Sequence, residues 1–162
     1  GVVLMGGGNK VKSNLNVQSA QDLEALVTNM YTGLEEKLPV SLATTTLDLS
    51  DAETFTYVTG LSSTDGIEYA VMSEPMMSSQ AYSLLLVKVA EGTDANQVAK
   101  TMSESVDMRK WICVTAEKLY ATDSGNVVCL VMSNAETAKL VYDNFKALAG
   151  EVGQEYEKTE AI

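Results

Sequence analysis

The sequence predicts an α+β domain with a four-stranded, mainly antiparallel sheet. The sheet is built from two strand–turn–strand–helix units, the helices pack on one face, and an extra helix lies on the N-terminal side. Three observations support this fold class. The length of 162 residues suits one domain. Short runs typical of strands precede segments in which apolar residues recur every three to four positions. That order occurs twice in the second half of the chain.

The N-terminal helix is predicted to begin at Ser19, which together with Asp22 resembles a capping arrangement. Its region ends at Pro39, because proline cannot continue the helical hydrogen bonds. Apolar residues at helical spacing give it one inward face: Leu23, Leu26, Val27, Met30, Tyr31 and Leu34.

A second, short helix is predicted over Asp51 to Thr59. Ser50 followed three residues later by Glu53 matches a capping box, and Gly60 is a natural C-terminal stop. The inward face consists of Phe55, Val58 and Leu61.

The first repeated unit follows the turn-forming stretch STDG. Side chains alternate over residues 67–72 as in a strand, and Pro75 ends that strand or confines it to an edge. Residues 81–90, AYSLLLVKVA, are so continuously apolar that both faces need cover near the centre of this strand. A helix follows, with Val98, Met102 and Val106 at four-residue steps.

The second unit begins with a hairpin. EKLYAT and NVVCLVMS flank DSGN, which is predicted to form a four-residue loop. This loop pairs Ala121 with Val128 on one face of the sheet and Tyr120 with Cys129 on the other. Leu119 faces Leu130 on the same side as Ala121.

The helix after the hairpin is predicted to begin with a capping box formed by Ser133 and Glu136 and to end at Gly150. Its buried stripe is predicted to consist of Ala138, Val141, Tyr142, Phe145 and Leu148. The chain therefore divides into a flexible tether at residues 1–16, one domain at 17–150 and a tail at 151–162 that frays because it has no buried stripe.

Composition excludes several functions. The formal charge of −11, from 22 acidic and 11 basic residues, repels phosphate backbones and anionic lipid headgroups, so nucleic acid is not expected as a partner. The chain has no histidine, which removes the commonest zinc ligand and excludes Ser–His–Asp and Cys–His catalysis within one chain. No run is long and apolar enough to span a bilayer. Neither a cofactor nor enzymatic activity is expected.

The two cysteines carry little information. Cys113 and Cys129 lack the CxxC spacing of redox and zinc motifs, and Cys129 lies in an apolar run typical of a buried strand. A disulfide between them stays open. The first residues, GVVLMGGGNKVKSN, are the stub of a signal segment with a glycine-rich tether, a remnant of cloning, or a disordered terminus, and these alternatives stay open.

Four residues are candidates for ligand binding: Glu74, Lys88, Arg109 and Trp111. The only arginine and the only tryptophan of the chain lie two positions apart, and such a pair can hold a carboxylate or stack on a planar ligand. The alternative is a helix end, where cations complement the dipole and the tryptophan packs on the core. Lys88 lies within a strong strand and either reaches an edge or faces a pocket.

Metal binding is not expected. Met76 and Met77 lack further soft ligands nearby, so plain packing explains them best, and a lid or an exposed partner-binding patch explains them better than copper. Asp48, Asp51 and Glu53 are close in sequence, but the spacing of an EF-hand loop is missing.

The stretches EYAVMSEPMMSSQAYSLLLVKVAEG and MRKWICVTAEKLYATDSGNVVCLVMSN resemble an uncharacterised family of small exported proteins, of lipoprotein type, from Gram-positive gut bacteria. The resemblance covers about Gly60 to Gly150 and rests on the order of strands and helices. It implies an extracytoplasmic location and tethering through a lipidated cysteine. Because no cysteine lies near the start of this sequence, such an anchor would lie upstream.

The function expected from these features is binding or assembly at the cell envelope, with an unidentified protein or small molecule as partner. The binding surface would be a sheet face without helices, exposing Tyr82, Lys88 and Tyr120, or the loop from Glu74 to Gln80. Two alternatives remain open: a small hydrolase that uses two converging carboxylates, and a structural homo-oligomer paired through a strand edge.

Overall fold

One antiparallel sheet forms the middle layer of the molecule. The structure is a computed structural model that describes residues 12–76, 80–111 and 114–160. Within these ranges the helices are α1 (Ala20–Tyr31), α2 (Ala52–Thr59), α3 (Ala95–Ser105) and α4 (Ala135–Ala149). The strands are β1 (Leu42–Thr46), β2 (Ile67–Pro75), β3 (Ser83–Val89), β4 (Lys118–Ser124), β5 (Val127–Ser133) and β6 (Tyr156–Thr159).

The sheet has the strand order β1-β2-β3-β5-β4-β6, and each neighbouring pair is antiparallel. The repeated unit is present as β2-β3-α3 and again as β4-β5-α4. The α+β class and the antiparallel sheet are confirmed. The predicted number of strands is wrong, because β1 and β6 extend the sheet from four strands to six.

Helices cover both faces of this sheet. Leu84 and Leu86 of β3 pack in one core with α1 and α4, and we call this side the α1/α4 face. The alternating residues Leu85 and Val87 pack in a second core with α2 and α3, which defines the α2/α3 face. The prediction that the helices lie on one face is therefore wrong. Because β3 and β5 are buried along nearly their whole length, they need cover on both sides.

The segment predicted to fray is part of the sheet. In residues 151–162, Tyr156–Thr159 form β6, which pairs with β4, and the Tyr156 side chain packs on the core of the α2/α3 face. The Gly153 N–H donates to the carbonyl of Asp123 at 2.8 Å before the strand begins. The final residues, 161–162, lie outside the described part of the chain.

The part of the predicted tether that the structure describes is bound to the C-terminal end of α4. Ser13 forms a bridge with Gly150, and the Asn14 N–H donates to the Ala149 carbonyl at 2.9 Å. The tether was predicted over residues 1–16, and residues 1–11 of it lie outside the described ranges.

The β4–β5 hairpin turns over two residues, Gly125 and Asn126, and not over four as predicted. Gly125 has a φ of 61°, which suits the first central position of a tight hairpin turn. The register is consequently offset by two residues, so Ala121 faces Leu130. An offset of two keeps every side chain on its predicted face.

Helix caps differ from the predicted ones at two helices. Asp51, not Ser50, caps α2 and accepts a hydrogen bond from the Thr54 N–H at 3.2 Å. Asn134 caps α4, because Ser133 is still the last residue of β5.

Helix α1 begins at its predicted cap, Ser19, but ends at Tyr31, eight residues before Pro39. In α4, Leu148 is exposed, and Ala149 is the buried residue in its place. Gly60 and Gly150 cap the C-terminal ends of α2 and α4 as predicted.

Candidate functional site

An open groove of about 690 Å³ runs between the first half of α4 and the edge of the sheet formed by β4 and β6. Tyr120 and Leu140 line its floor, and charged side chains line its rim. Among the described residues, the lining consists of Glu117, Lys118, Tyr120, Ala135, Glu136, Lys139, Leu140, Thr159 and Glu160. A volume of this size is typical of sites for small organic ligands.

Strand parity and helix spacing place these residues together. Lys118 pairs with Thr159 in the sheet, and both lie on the α1/α4 face with Tyr120 two positions along. Ala135 and Lys139 are one helical turn apart and therefore line the same side of α4.

Tyr120 is held in the floor by a second ring. It stacks on Tyr142 of α4 with 4.9 Å between the ring centroids and 13° between the planes. Tyr142 is almost fully buried, and its hydroxyl donates to Glu155 Oε1 at 2.6 Å. Burial and this hydrogen bond hold the ring of Tyr142 in place, and the stacked ring of Tyr120 is held against it.

The two lysines of the rim are already paired. Lys118 forms an ion pair with Glu157, and Lys139 Nζ lies 3.1 Å from Asp143 Oδ2. Hydrogen bonding to these carboxylates raises the pKa of each lysine, so both ammonium groups stay charged at neutral pH. Their alkyl stems add carbon surface to the groove.

The three carboxylates of the rim also have partners. Glu117 Oε1 accepts from the Ala135 N–H at 3.0 Å, at the N-terminus of α4. Glu136 Oε2 lies 3.5 Å from Lys37 Nζ. Glu160 pairs with Arg109. Four of the five charged groups of the rim are therefore paired with opposite charges that lie outside the groove lining, and Glu117 accepts from a backbone N–H.

Three of the four residues predicted to bind a ligand lie at one end of the molecule. Glu74 of β2 pairs with Lys110, whose side chain is only 8% exposed, and the Lys110 Nζ lies 5.3 Å from the centroid of Trp111. Trp111 packs in the core of the α2/α3 face. Lys110, which the sequence pattern assigned only to a helix end, lies between Glu74 and Trp111.

Arg109 and Lys110 reach in opposite directions, to Glu160 beyond β6 and to Glu74 on β2. Arg109 thereby holds a residue of the groove rim without lining the groove itself. The four predicted residues do not form one site.

Lys88 lies at the other end of the sheet. It pairs with Glu68 and lines a smaller pocket of about 300 Å³ beside the β4–β5 turn. Both sequence alternatives thus apply to it: the amine is engaged by an acid at the surface, and the side chain borders a pocket.

The prediction of a sheet face without helices is wrong, because helices pack on both faces. Tyr82 is fully buried, and Tyr120 is partly buried against Tyr142. In the loop from Glu74 to Gln80, Met76 is 78% exposed. Met77 lies outside the described residues.

The carboxylates considered for metal binding serve local structure. Asp48 Oδ1 accepts from the Ser50 N–H at 2.9 Å, and Asp51 caps α2. In the described part of the chain, no three acidic or cysteine side chains are grouped as a metal site requires.

Buried Asp123 and half-buried Glu74 lie at opposite ends of the sheet, so these two carboxylates do not converge as a hydrolase would need. Cys129 is a free thiol at the centre of the sheet, and burial raises its pKa. Cys113, considered as its disulfide partner, lies outside the described ranges.

No family model, no curated protein and no solved structure matches this chain. The resemblance to exported proteins therefore stays a prediction. Among the described helices, none has both the length and the apolar content that crossing a bilayer requires.

Proposed function

We propose that this protein is a non-enzymatic binding domain that takes an uncharged, largely apolar small molecule into the groove between α4 and the β4–β6 edge. The observation that carries the proposal is the combination of an apolar floor with a rim in which four of the five charged side chains already have a partner of opposite charge. A charged ligand would have to break one of these pairs to find a partner. An apolar ligand gains by covering Tyr120 and Leu140 without disturbing them.

The chain's overall charge also argues against an anionic ligand. With a formal charge of −11, the surface repels anions over distances of about 10 Å at ordinary salt. Covering the floor residues with carbon surface contributes roughly 25 cal/mol for each Å² that is removed from water. A planar ring is the best fit, since Tyr120 can stack on it much as it stacks on Tyr142.

The proposal includes a place of action outside the cytoplasm, at the cell envelope. Its support is the sequence resemblance over about Gly60 to Gly150, together with the lipid anchor that this resemblance implies upstream. The binding function and the location are independent, so either can fail without the other.

Two fluorescent probes with the same ring system test the ligand class. N-phenyl-1-naphthylamine is uncharged, and 8-anilinonaphthalene-1-sulfonate adds one sulfonate to the same rings. We expect saturable binding of the neutral probe with at least about tenfold higher affinity than the sulfonate, a difference of about 1.4 kcal/mol. Equal or tighter binding of the sulfonate would contradict an uncharged ligand.

A pair of matched variants locates the site. Leu140→Asp puts a charge into the floor and should abolish binding of the neutral probe, whereas Leu148→Asp changes an exposed leucine of the same helix outside the groove and should not. Circular dichroism of both variants verifies that α4 still folds. Retained binding by a folded Leu140→Asp variant would refute the groove as the site.

A further inference from the structure

The outer edge of β1 has no strand paired with it in the described part of the chain. The Leu47 N–H donates to the Ala70 carbonyl at 2.8 Å, and the Met76 N–H donates to the Ser41 carbonyl at 3.0 Å. Hydrogen-bonded pairs alternate along an antiparallel ladder, so the odd-numbered residues of β1 bond to β2. The backbone groups of Leu42, Thr44 and Thr46 therefore point away from the sheet.

This edge has few of the features that normally keep strand edges apart. Residues 41–47, SLATTTL, contain no charge and no proline, and Thr44, Thr45 and Thr46 are exposed. The nearest charge is Glu24 of α1, whose carboxylate accepts a hydrogen bond from the Thr46 hydroxyl at 2.6 Å. The edge at β6 is different, because acidic residues and a lysine lie in and beside it: Glu155, Glu157, Lys158 and Glu160. Charged side chains of this kind protect an edge from pairing, and an uncharged edge of β-branched residues favours it.

We propose that β1 pairs antiparallel with β1 of a second copy of this chain, about a two-fold axis at Thr44. In that register Thr44 faces Thr44 of the second copy, and Leu42 faces Thr46. Each facing pair exchanges the backbone hydrogen bonds that are free at the edge. Threonine pairs across strands are favourable, and the two six-stranded sheets become continuous.

The self-complementarity of an uncharged segment selects a second copy as the occupant. Two chains that each carry −11 repel one another at most contacts, but at β1 no charged residue faces another over residues 41–47. The segment is also compatible with itself, because a two-fold axis brings the same uncharged residues together from both sides. The repulsion of the remaining surfaces predicts a weak dimer that salt strengthens.

The contact is small. One strand edge with exposed Val40 at its end buries less than the roughly 1,600 Å² of a standard interface. We therefore expect a monomer–dimer equilibrium that depends on concentration, with association at least about threefold stronger in 500 mM than in 50 mM salt.

Sedimentation velocity over a concentration series tests the pairing. Thr44→Lys places like charges face to face at the axis and should leave only monomer. Gln97→Lys adds the same charge at an exposed position of α3, which packs over β4 and β6 at the far side of the sheet, and should leave the dimer unchanged. Thr44→Pro removes only an outward N–H and should weaken the dimer while preserving the β1–β2 ladder.

Hydrogen exchange gives a second measurement on the unmodified protein. The amides of Thr44 and Thr46 should become more protected as concentration rises, and the amide of Thr45, which bonds to β2, should not change. A monomer at every concentration overturns the proposal and leaves the edge to residues 1–11 or to another protein. A dimer that persists in Thr44→Lys also overturns it.

Discussion

The hydroxyl of Tyr82 donates to the hydroxyl oxygen of Tyr31 at 2.9 Å, which joins the residue before β3 to the last residue of α1. Tyr31 in turn donates to Ser73 Oγ at 2.6 Å. Burial raises the pKa of Tyr31 to about 12 and that of Tyr82 well above its ordinary value, so both hydroxyls keep their protons. This chain of hydrogen bonds occupies part of the face that was expected to be open.

Tyr31→Phe should destabilise the protein more than Tyr82→Phe. Tyr31 is in the middle of the chain, and its loss leaves both the Tyr82 hydroxyl and Ser73 without their partner in a buried environment, at a cost of about 1–3 kcal/mol. Tyr82→Phe removes only the terminal donor. Urea unfolding of both variants measures the difference, and the reverse order would show that the hydrogen-bond chain does not hold α1 on the sheet.

Asp123→Asn should stabilise the protein at neutral pH. Asp123 is 5% exposed, and desolvation raises its pKa above the ordinary 3.8 despite a hydrogen bond from Asn96 at 2.7 Å. The folded state therefore binds this proton more tightly than the unfolded chain. As pH rises from the ordinary pKa of 3.8 through the raised pKa of the folded state, ionisation of Asp123 lowers the free energy of unfolding. An amide oxygen can still accept from Asn96 without the cost of a buried charge.

Thermal unfolding from pH 3 to pH 7 measures this effect. The variant should unfold at a higher temperature than the parent at pH 7, and the difference should shrink below the ordinary pKa of an aspartate. Asp65→Asn, on an exposed loop, is the control and should show neither effect. A loss of stability at pH 7 would mean that the ionised carboxylate makes a contact that an amide cannot replace.

Glu155→Gln should have the opposite effect on stability. The hydrogen bond from Tyr142 and the neighbouring Lys146, 3.1 Å away, lower the pKa of Glu155. Such a carboxylate stabilises the fold above its unfolded pKa, and this contribution is lost as pH falls through the lowered value. Glu155 is about half exposed, so the loss at pH 7 should be under about 1 kcal/mol. Thermal unfolding of parent and variant from pH 3 to pH 7 measures this loss. Equal stability of the two proteins at every pH would mean that the Glu155 carboxylate does not stabilise the fold.

Removing one partner of the Glu74–Lys110 ion pair should destabilise the protein more than replacing both partners by apolar residues. Lys110→Met leaves the carboxylate unpaired in a site that is only 19% exposed, and should cost about 3 kcal/mol. Adding Glu74→Leu removes the orphaned charge and should recover most of that stability. A double-mutant cycle measured by urea unfolding tests the coupling, which should be at least about 1 kcal/mol. Additive effects would mean that the pair is not coupled.

Residues with strong local patterns were predicted correctly. The apolar stripe Leu23, Leu26, Val27 and Met30 identifies α1, and the continuous apolar runs identify β3 and β5. The edge strands were missed because they lack such patterns. β1 consists mostly of exposed threonines, and β6 has the composition of a charged tail. Both become strands because a neighbouring strand offers free backbone groups.

The groove was missed for a similar reason. Lys118 and Tyr120 alternate along one strand, while Lys139 and Leu140 come from a helix with no sequence relation to it. Only the pairing of β6 with β4 completes the wall at Thr159. The one signal in the sequence was the side of the strand on which Tyr120 lies, and it was assigned correctly to the face opposite Ala121.

Methyl NMR during titration with N-phenyl-1-naphthylamine tests the proposed binding groove most directly. Saturable shifts should be confined to the methyl groups that line the groove, Ala135 and Leu140, and should be absent at Leu148 and Ala25, which lie in a separate pocket beside α1. Shifts centred on Leu148 and Ala25, or no saturable shifts at Ala135 and Leu140 at any probe concentration, would contradict the proposed function.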